Sequence, residues 1–137
     1  MKQEKSCGAV VFRDENNVRE YLIERMRQGH FALCKGHVEK NETEHETAER
    51  EILEETGLTV QFIGDFRTTT GYCPSDGVYK EVVYFLAKTT SNNQRVQLSE
   101  VSEIIWLPYP EAIDILTYKS DKEILRQAKD YLEGENR

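Results

Sequence analysis

The sequence contains few of the residues that mark several classes of protein. Only three of its 137 residues are cysteines, and Cys7, Cys34 and Cys73 lie far apart without a Cys-x-x-Cys pair. This pattern predicts reduced thiols and implies neither a disulfide framework nor a zinc site. No apolar run is long enough to cross a bilayer, and the charged segment MKQEKSCGAVVF does not resemble a signal peptide. We therefore expect a cytoplasmic protein with no membrane partner.

Positive charge is also scarce, with 18 lysines and arginines against 25 acidic residues and a formal net charge of −7. This balance argues against a nucleic-acid partner held by a basic surface. A small phosphorylated substrate remains compatible, because a bound metal ion reverses the local sign of charge. The length predicts a single domain over residues 1–137, and both a monomer and a homodimer stay open.

Apolar and β-branched runs predict an order of strands, helix, strands and helices. The expected fold is therefore α/β (α+β), with a mixed sheet between helical layers. Glycine and polar residues predict a longer hairpin loop at Asp14–Asn17 and a turn-forming loop at Gly71–Gly77. Ser120 and Glu123 predict a capping box before the closing helix. The predicted extended segments are Cys7–Phe12, Glu20–Glu24, Phe31–Cys34, Thr59–Thr70, Val78–Lys88 and Ile104–Leu107.

The most informative stretch is Gly36–Leu58, GHVEKNETEHETAEREILEETGL. Thr43 and Glu46 predict a capping box at the start of a helix, and Gly57 is a natural residue for its end. Within that helix three glutamates, Glu51, Glu54 and Glu55, are spaced i, i+3 and i+4 and so share one face.

Like charges at these spacings repel, so the helix needs a compensating cation. Hard carboxylate oxygens are the ligands that Mg²⁺ and Mn²⁺ select. The alternative is a surface helix with salt bridges, but Arg50 is the one residue of this helix that is certainly cationic. Arg50 can instead pair with a carboxylate in bidentate geometry and orient it. Gly36 suits a tight backbone turn.

These residues resemble the signature of the Nudix hydrolases. That signature is Gly, five residues, Glu, seven residues, Arg-Glu, an aliphatic residue, any residue, Glu-Glu, any residue, Gly and an aliphatic residue. The specified positions are filled here by Gly36, Glu42, Arg50, Glu51, Ile52, Glu54, Glu55, Gly57 and Leu58.

The resemblance implies a Nudix-type α/β/α sandwich that hydrolyses a nucleoside diphosphate linked to a further group, with Mg²⁺ or Mn²⁺ as cofactor. It implies metal binding and catalysis by Glu51, Glu54 and Glu55, one of which assists as a base. Glu42 is then a supporting acid, Arg50 the orienting residue, and Gly36 part of the metal site. A further carboxylate ligand is expected outside the signature, with Glu100 preferred and Glu103 as its rival.

Residues around the signature resemble the asymmetrical diadenosine tetraphosphate hydrolases. The run Lys35–Glu39, KGHVE, is similar to that branch, as are the strand Lys80–Ala87 and the segment Leu98-Ser99-Glu100. One departure is Leu33-Cys34, which stands where the branch carries a proline pair. The implied reaction splits diadenosine tetraphosphate into ATP and AMP.

The resemblance also suggests residues that bind the substrate. Lys35, His37 and Lys80 are candidates for phosphate contacts, although Lys80 could equally be a solvated lysine of an edge strand. Tyr84 is a candidate for stacking on the adenine base, Tyr118 for closing over that base, and Tyr72 for contact with the substrate. Tyr84 alternates with Val82 and Leu86, so a place in the core is its alternative, and Tyr118 could simply cap the fold.

Other functions stay open at this point. Pro74 resembles a proline of the adenosine-diphosphoribose branch, while KGHVE favours the dinucleotide branch. Nucleoside triphosphates and RNA 5′ pyrophosphates are further possible substrates, with RNA disfavoured by the acidic charge. A non-catalytic nucleotide-sensing domain would be expected to lack some of the signature carboxylates, and all are present.

Overall fold

The computed structural model describes residues 1–91 and 100–135. Within them the chain forms seven strands and three helices. The strands are β1 (Lys2–Glu15), β2 (Val18–Met26), β3 (Phe31–Ala32), β4 (Cys34–His37), β5 (Val60–Ser75), β6 (Val78–Thr89) and β7 (Val101–Pro108). The helices are α1 (Glu44–Thr56), α2 (Tyr109–Ile115) and α3 (Lys119–Glu135).

The strands form one sheet with a central path β3-β2-β1-β6-β5, while β4 pairs with β1 and β7 pairs with β2. Strands β1 and β6 are parallel and the other pairs are antiparallel. Helix α1 buries Ala48 and Ile52 against one face. Helices α2 and α3 bury Ala112 and Leu125 against the opposite face. The predicted mixed sheet between helical layers is confirmed.

The β1–β2 hairpin is confirmed, but its loop is shorter than predicted. Strand β1 continues to Glu15 and β2 begins at Val18, which leaves Asn16 and Asn17 as the turn. Both asparagines have positive φ, 51° and 65°. Asparagine tolerates this conformation, and a two-residue turn of this kind matches the twist of the flanking strands.

The predicted loop at Gly71–Gly77 is largely wrong. Strand β5 continues to Ser75, with Tyr72 paired to Lys80 of β6. The register shifts between Tyr72 and Ser75, so Pro74 lies at an irregularity where a missing N–H is tolerated. The turn itself is confined to Asp76 and Gly77. Pairing with β6 therefore overrides the local turn preference.

The predicted capping box at Ser120 and Glu123 is also wrong. Helix α3 already includes Lys119, and the Lys122 N–H donates to the carbonyl of Tyr118. The Glu123 carboxylate instead pairs with Arg126. Leu98 and Ser99, which the branch resemblance included, lie outside the described residues. In the part of the chain that the structure describes, no helix combines the length and apolar character needed to cross a membrane.

Candidate active site

Helix α1 has the ends that the sequence predicts. The Thr43 hydroxyl accepts from the Glu46 N–H at 3.1 Å, and the Glu46 carboxylate accepts from the Thr43 N–H at 2.8 Å. Gly57 ends the helix with φ of 75°, in the left-handed region that glycine adopts without strain. The helix thus presents Glu51, Glu54 and Glu55 at the predicted spacing.

Arg50 is the centre of an ion-pair network on α1. Its guanidinium donates to both carboxylate oxygens of Glu42, at 2.6 and 3.0 Å, in the bidentate geometry that the sequence suggested. It also donates to Glu51 at 2.7 Å and to Glu54 at 3.2 Å. A further bond to the His37 carbonyl, at 2.9 Å, ties α1 to β4. Arg50 therefore fixes the direction of these carboxylates.

The charges of this network shift the pKa values of its members. Hydrogen bonds from Arg50 lower the pKa of Glu42 to about 2. The hydrogen bond with Glu42, followed by those with Glu51 and Glu54, raises the pKa of Arg50 despite an opposing effect of burial. Both groups are thus charged across the whole physiological range.

Gly36 brings β4 close to α1. A Cβ at this position would overlap the carboxyl group of Glu51. Gly36 lies within β4 and is not among the glycines with positive φ. The predicted tight turn is therefore wrong, and what the position requires is the absence of a side chain under Glu51.

Glu55 points into the protein and meets two buried groups that no sequence motif assigns to the site. Glu24 of β2 and Cys34 of β4 each offer a ligand atom, and these atoms and one from Glu55 lie within 4.8 Å of one another. The Cys34 thiol donates to Glu55 Oε1 at 3.2 Å. Burial and the neighbouring Glu24 carboxyl raise the pKa of Glu55 well above its ordinary value. Burial likewise raises the pKa of Glu24.

A weak signal for Glu24 exists in the sequence. The glutamate ends the run EYLIE, and Leu22 lies two residues earlier, on the face of β2 that α1 covers. A carboxylate that continues a buried stripe is unusual unless it is paired. No such signal exists for Cys34, because only the pairing of Ala9 with Cys34 in the β1–β4 ladder brings it beneath α1.

Lys35, Tyr72 and Lys80 lie together on the face opposite α1. Lys35 of β4 pairs with Gly8 of β1, and Gly8 in turn pairs with Tyr84 of β6, so these three residues lie on one face of the sheet. Lys80 lies on the same face, because side chains alternate along β6 and an even number of positions separates it from Tyr84. Tyr72 pairs directly with Lys80. Burial, and then the charge of Lys35, lowers the pKa of Lys80. Two lysines close together in a partly buried place favour an anionic ligand between them.

Tyr84 does not fit the predicted role in binding a base. Its side chain is 1% exposed and packs in the core with Val82 and Leu86. A ring enclosed by core side chains has no face on which a substrate base could stack. The structure therefore supports the alternative that the alternation along β6 offered.

His37 and Tyr118 are both exposed. Tyr118 packs against His30, with ring centroids 5.6 Å apart. The neighbouring Thr117 hydroxyl accepts from the Phe31 N–H at 2.8 Å, which holds the segment before α3 against β3. Tyr118 therefore lies beside the start of β3.

The two candidates for an additional carboxylate lie near the start of β7. The carbonyl of Glu100 accepts from the Arg27 N–H at 2.9 Å. The Glu103 carboxylate lies 3.5 Å from Arg25, so an ion pair already engages it. Neither belongs to the buried cluster of Glu24, Cys34 and Glu55.

Comparison with known proteins agrees with this geometry. A family model of the NUDIX domain matches residues 2–128. The chain belongs to the Nudix family. It is therefore a Nudix hydrolase, an enzyme that splits the pyrophosphate linkages of small nucleotide substrates, and such hydrolases generally use divalent metal ions.

Among relatives of this Nudix hydrolase is an asymmetrical bis(5′-nucleosyl)-tetraphosphatase of Mus musculus, 31% identical over 93% of this chain and 95% of that protein. A binary complex of a C. elegans Ap4A hydrolase superimposes with a TM-score of 0.86 and 28% identity, over 96% of this chain and 98% of that chain. An 8-oxo-(d)GTP phosphatase of Mycolicibacterium smegmatis is 34% identical over 90% of this chain, which spans 40% of that protein.

Proposed function

We propose that this Nudix hydrolase splits diadenosine tetraphosphate into ATP and AMP. The observation that carries the proposal is the position of β4. One side of this strand faces the carboxylates of α1 at Gly36, and the other side presents Lys35 on the face that holds Lys80. A chain of phosphates that crosses the end of β4 would reach both sets of groups. Likeness to asymmetrical tetraphosphatases over nearly the whole chain supports this choice of substrate.

The residues of α1 fit a divalent cation. Glu51, Glu54 and Glu55 supply hard oxygen donors, and the missing side chain at Gly36 leaves the space that the Glu51 carboxylate occupies. A cation held by these three glutamates would polarise phosphate oxygens and lower the pKa of the attacking water. We include Gly36 and Glu100 in the proposed metal site and leave the choice between Mg²⁺ and Mn²⁺ to experiment.

The other residues have distinct proposed tasks. Arg50 orients Glu51 and Glu54 through its hydrogen bonds. Lys35, Lys80 and the exposed His37 hold the polyphosphate. The exposed rings of Tyr72 and Tyr118 are available to stack on adenine.

In the proposed reaction, water attacks the fourth phosphorus counted from the held adenosine. The new P–O bond forms on AMP as the bond between the third and fourth phosphates breaks, and ATP leaves with the bridging oxygen. One of the α1 glutamates accepts the proton of the water. Lys35 and Lys80 favour this step by balancing the negative charge of the phosphates that leave.

A substrate panel tests the proposal. The full-length protein is incubated with Mg²⁺ and, separately, Mn²⁺ and one of four substrates: diadenosine tetraphosphate, 8-oxo-dGTP, ADP-ribose or RNA carrying a 5′ triphosphate. Chromatography is expected to show ATP and AMP as the sole products of the first. A reaction in heavy-oxygen water is expected to place the label in AMP. A strong preference for ADP-ribose, or label in ATP, would contradict the proposal.

A second candidate is a nucleoside triphosphate pyrophosphatase. It is favoured by the 34% identity with the 8-oxo-(d)GTP phosphatase. Release of pyrophosphate from 8-oxo-dGTP faster than cleavage of diadenosine tetraphosphate would establish it.

We also propose a single domain over residues 1–137 that acts in the cytoplasm as a monomer or homodimer. Size-exclusion chromatography with light scattering decides the oligomeric state.

A further inference from the structure

The cluster of Glu24, Cys34 and Glu55 combines two carboxyl groups with a thiol. This composition suits a different kind of metal site from the carboxylate row of α1. All three side chains are at most 2% exposed, and their nearest ligand atoms lie within 4.8 Å of one another. Cys34 adds a soft sulfur donor to two hard oxygen donors. The three residues come from α1, β2 and β4, so the packed fold, and not a mobile loop, brings them together.

One atom of this cluster lacks a partner. Glu24 Oε2 is fully buried and has no hydrogen-bond partner within the described chain. A buried carboxyl oxygen without a hydrogen bond costs free energy of folding, and a charged one costs more. Glu55 and Cys34, the nearest groups, are themselves acidic, so they cannot supply a compensating positive charge. A cation at this point would satisfy the open oxygen of Glu24 and balance the negative charge of the ionised ligands.

We propose that Glu24, Cys34 and Glu55 bind a thiophilic divalent cation of the Zn²⁺ class. A thiolate ligand selects zinc over magnesium, which prefers oxygen ligands alone. Around a zinc ion, bonds of about 2.0–2.3 Å place tetrahedral ligands about 3.5 Å apart. The observed 3.2 Å between Cys34 Sγ and Glu55 Oε1 is close to this spacing. Binding releases to solvent the thiol proton and any proton that the two buried carboxyls hold.

If it binds zinc, this site overturns the expectation that the cysteine pattern implies no zinc. Spacing along the chain carries no signal, because the three ligands are 10 and 21 residues apart, from Glu24 to Cys34 and from Cys34 to Glu55. The site shares Glu55 with the proposed hydrolytic metal site. Zinc binding is nevertheless measurable without nucleotide. The zinc proposal can therefore be refuted while the proposed hydrolysis stands, and the proposed hydrolysis can be refuted while zinc binding stands.

Metal binding to the full-length, reduced and chelator-treated protein tests the site. Calorimetry with Zn²⁺ and absorption spectroscopy with Co²⁺ are compared for the wild type, Cys34→Ser and Cys7→Ser. Cys7 is a matched control, because it is also buried on the α1 face but lies outside the cluster. Cys73→Ser removes the exposed thiol as a second control.

The wild type is expected to show a cobalt–thiolate charge-transfer band. Cys34→Ser should lose the band and bind Zn²⁺ at least about 10-fold more weakly, whereas Cys7→Ser and Cys73→Ser should keep both properties. Glu24→Gln should weaken binding and retain the band. A band that persists in Cys34→Ser would overturn the proposal.

X-ray absorption of the zinc-loaded wild type gives a test that does not depend on how any variant folds. A first shell that contains one sulfur together with oxygen neighbours is expected. A shell without sulfur would also overturn the proposal.

Discussion

Two residues, Arg50 of α1 and Gly36 of β4, hold the carboxylates of α1 in place. Arg50 bridges Glu42, Glu51 and Glu54 and reaches the His37 carbonyl of β4. Gly36 leaves the room in which the Glu51 carboxyl lies. The two residues act on the carboxylates by different means, one through directed hydrogen bonds and one through the lack of a side chain. Their substitutions should therefore have different signatures.

Replacing Arg50 with lysine should lower turnover. Lysine keeps the charge but loses the planar fork that contacts Glu42 at two points. We expect kcat with diadenosine tetraphosphate and Mg²⁺ to fall by about 10–100-fold, the usual cost of losing an orienting partner. Arg126→Lys on α3, where the arginine also pairs with two acids, is the control. Unchanged kcat in Arg50→Lys would show that orientation by the fork is unimportant.

Replacing Gly36 with alanine should separate activity from stability. The added Cβ displaces the end of the flexible Glu51 side chain and not the backbone, and φ at Gly36 is not in the left-handed region. We expect kcat to fall at least about 100-fold while thermal unfolding changes little. Gly134→Ala on α3, where nothing lies near an added Cβ, is the control. A marked loss of stability in Gly36→Ala with full activity would refute this account.

At the scale of elements, the β1–β4 ladder places the strand that borders the site. Gly8 pairs with Lys35 and Ala9 pairs with Cys34. A Cβ at Gly8 would overlap the carbonyl oxygen of Cys34. Unlike Glu51 above Gly36, this neighbour is backbone and cannot turn away.

Gly8→Ala should therefore destabilise the fold. We expect the free energy of unfolding, measured by urea denaturation, to fall by about 3 kcal/mol, the upper part of the usual range for an overpacked core. Gly134→Ala, which replaces a helical glycine with nothing near the added Cβ, should not lower it. A stable Gly8→Ala protein would mean that β4 can shift away from β1 without cost.

The ion pairs of Glu44 anchor the first turn of α1 and predict a dependence on pH. Arg67 donates to the Glu44 carboxylate at 2.9 and 2.8 Å, and Lys5 pairs with it as well. These contacts lower the pKa of Glu44 to about 2 from 4.5. Because the folded-state pKa lies below the unfolded one, the stabilisation is present above pH 4.5 and disappears as the pH falls toward 2.

Glu44→Gln should thus lower the free energy of unfolding at neutral pH. We expect the free energy of unfolding to fall by about 1 kcal/mol, since solvent screens the partly exposed partners. This difference between variant and wild type should shrink as the pH falls below 4.5. Glu49→Gln, an exposed acid of the same helix, is the control. A difference that stays constant from neutral to acid pH would rule out these ion pairs as its source.

At this scale, sequence-based prediction succeeds where neighbouring residues determine the structure. Thr43, Glu46 and Gly57 set the ends of α1 through contacts within a few residues, and the structure confirms them. The neighbours of Tyr72 favour turns and predict a loop, whereas pairing with β6 extends the strand. The packing of α1 over β2 and β4 brings Glu24 and Cys34 together, and apart from the weak signal of a glutamate in the buried stripe of β2, no local pattern predicts this cluster.

At the scale of the whole molecule, the sheet separates two kinds of chemistry. The acidic row lies on the α1 face, and Lys35 and Lys80 lie on the opposite face. This division allows a protein with a net charge of −7 to present local positive charge to phosphates. The proposed site spans both faces where β4 ends at His37.

The most direct test of the account compares Glu54→Gln with Glu49→Gln. The Glu54 side chain is 47% exposed, so the substitution leaves the core intact while removing a proposed metal ligand. Release of ATP and AMP from diadenosine tetraphosphate with Mg²⁺ is measured for both variants, and circular dichroism verifies the fold. We predict that Glu54→Gln lowers turnover by at least about 100-fold and that Glu49→Gln matches the wild type. Near wild-type turnover by a folded Glu54→Gln protein would contradict the assignment of the acidic row as the hydrolytic metal site.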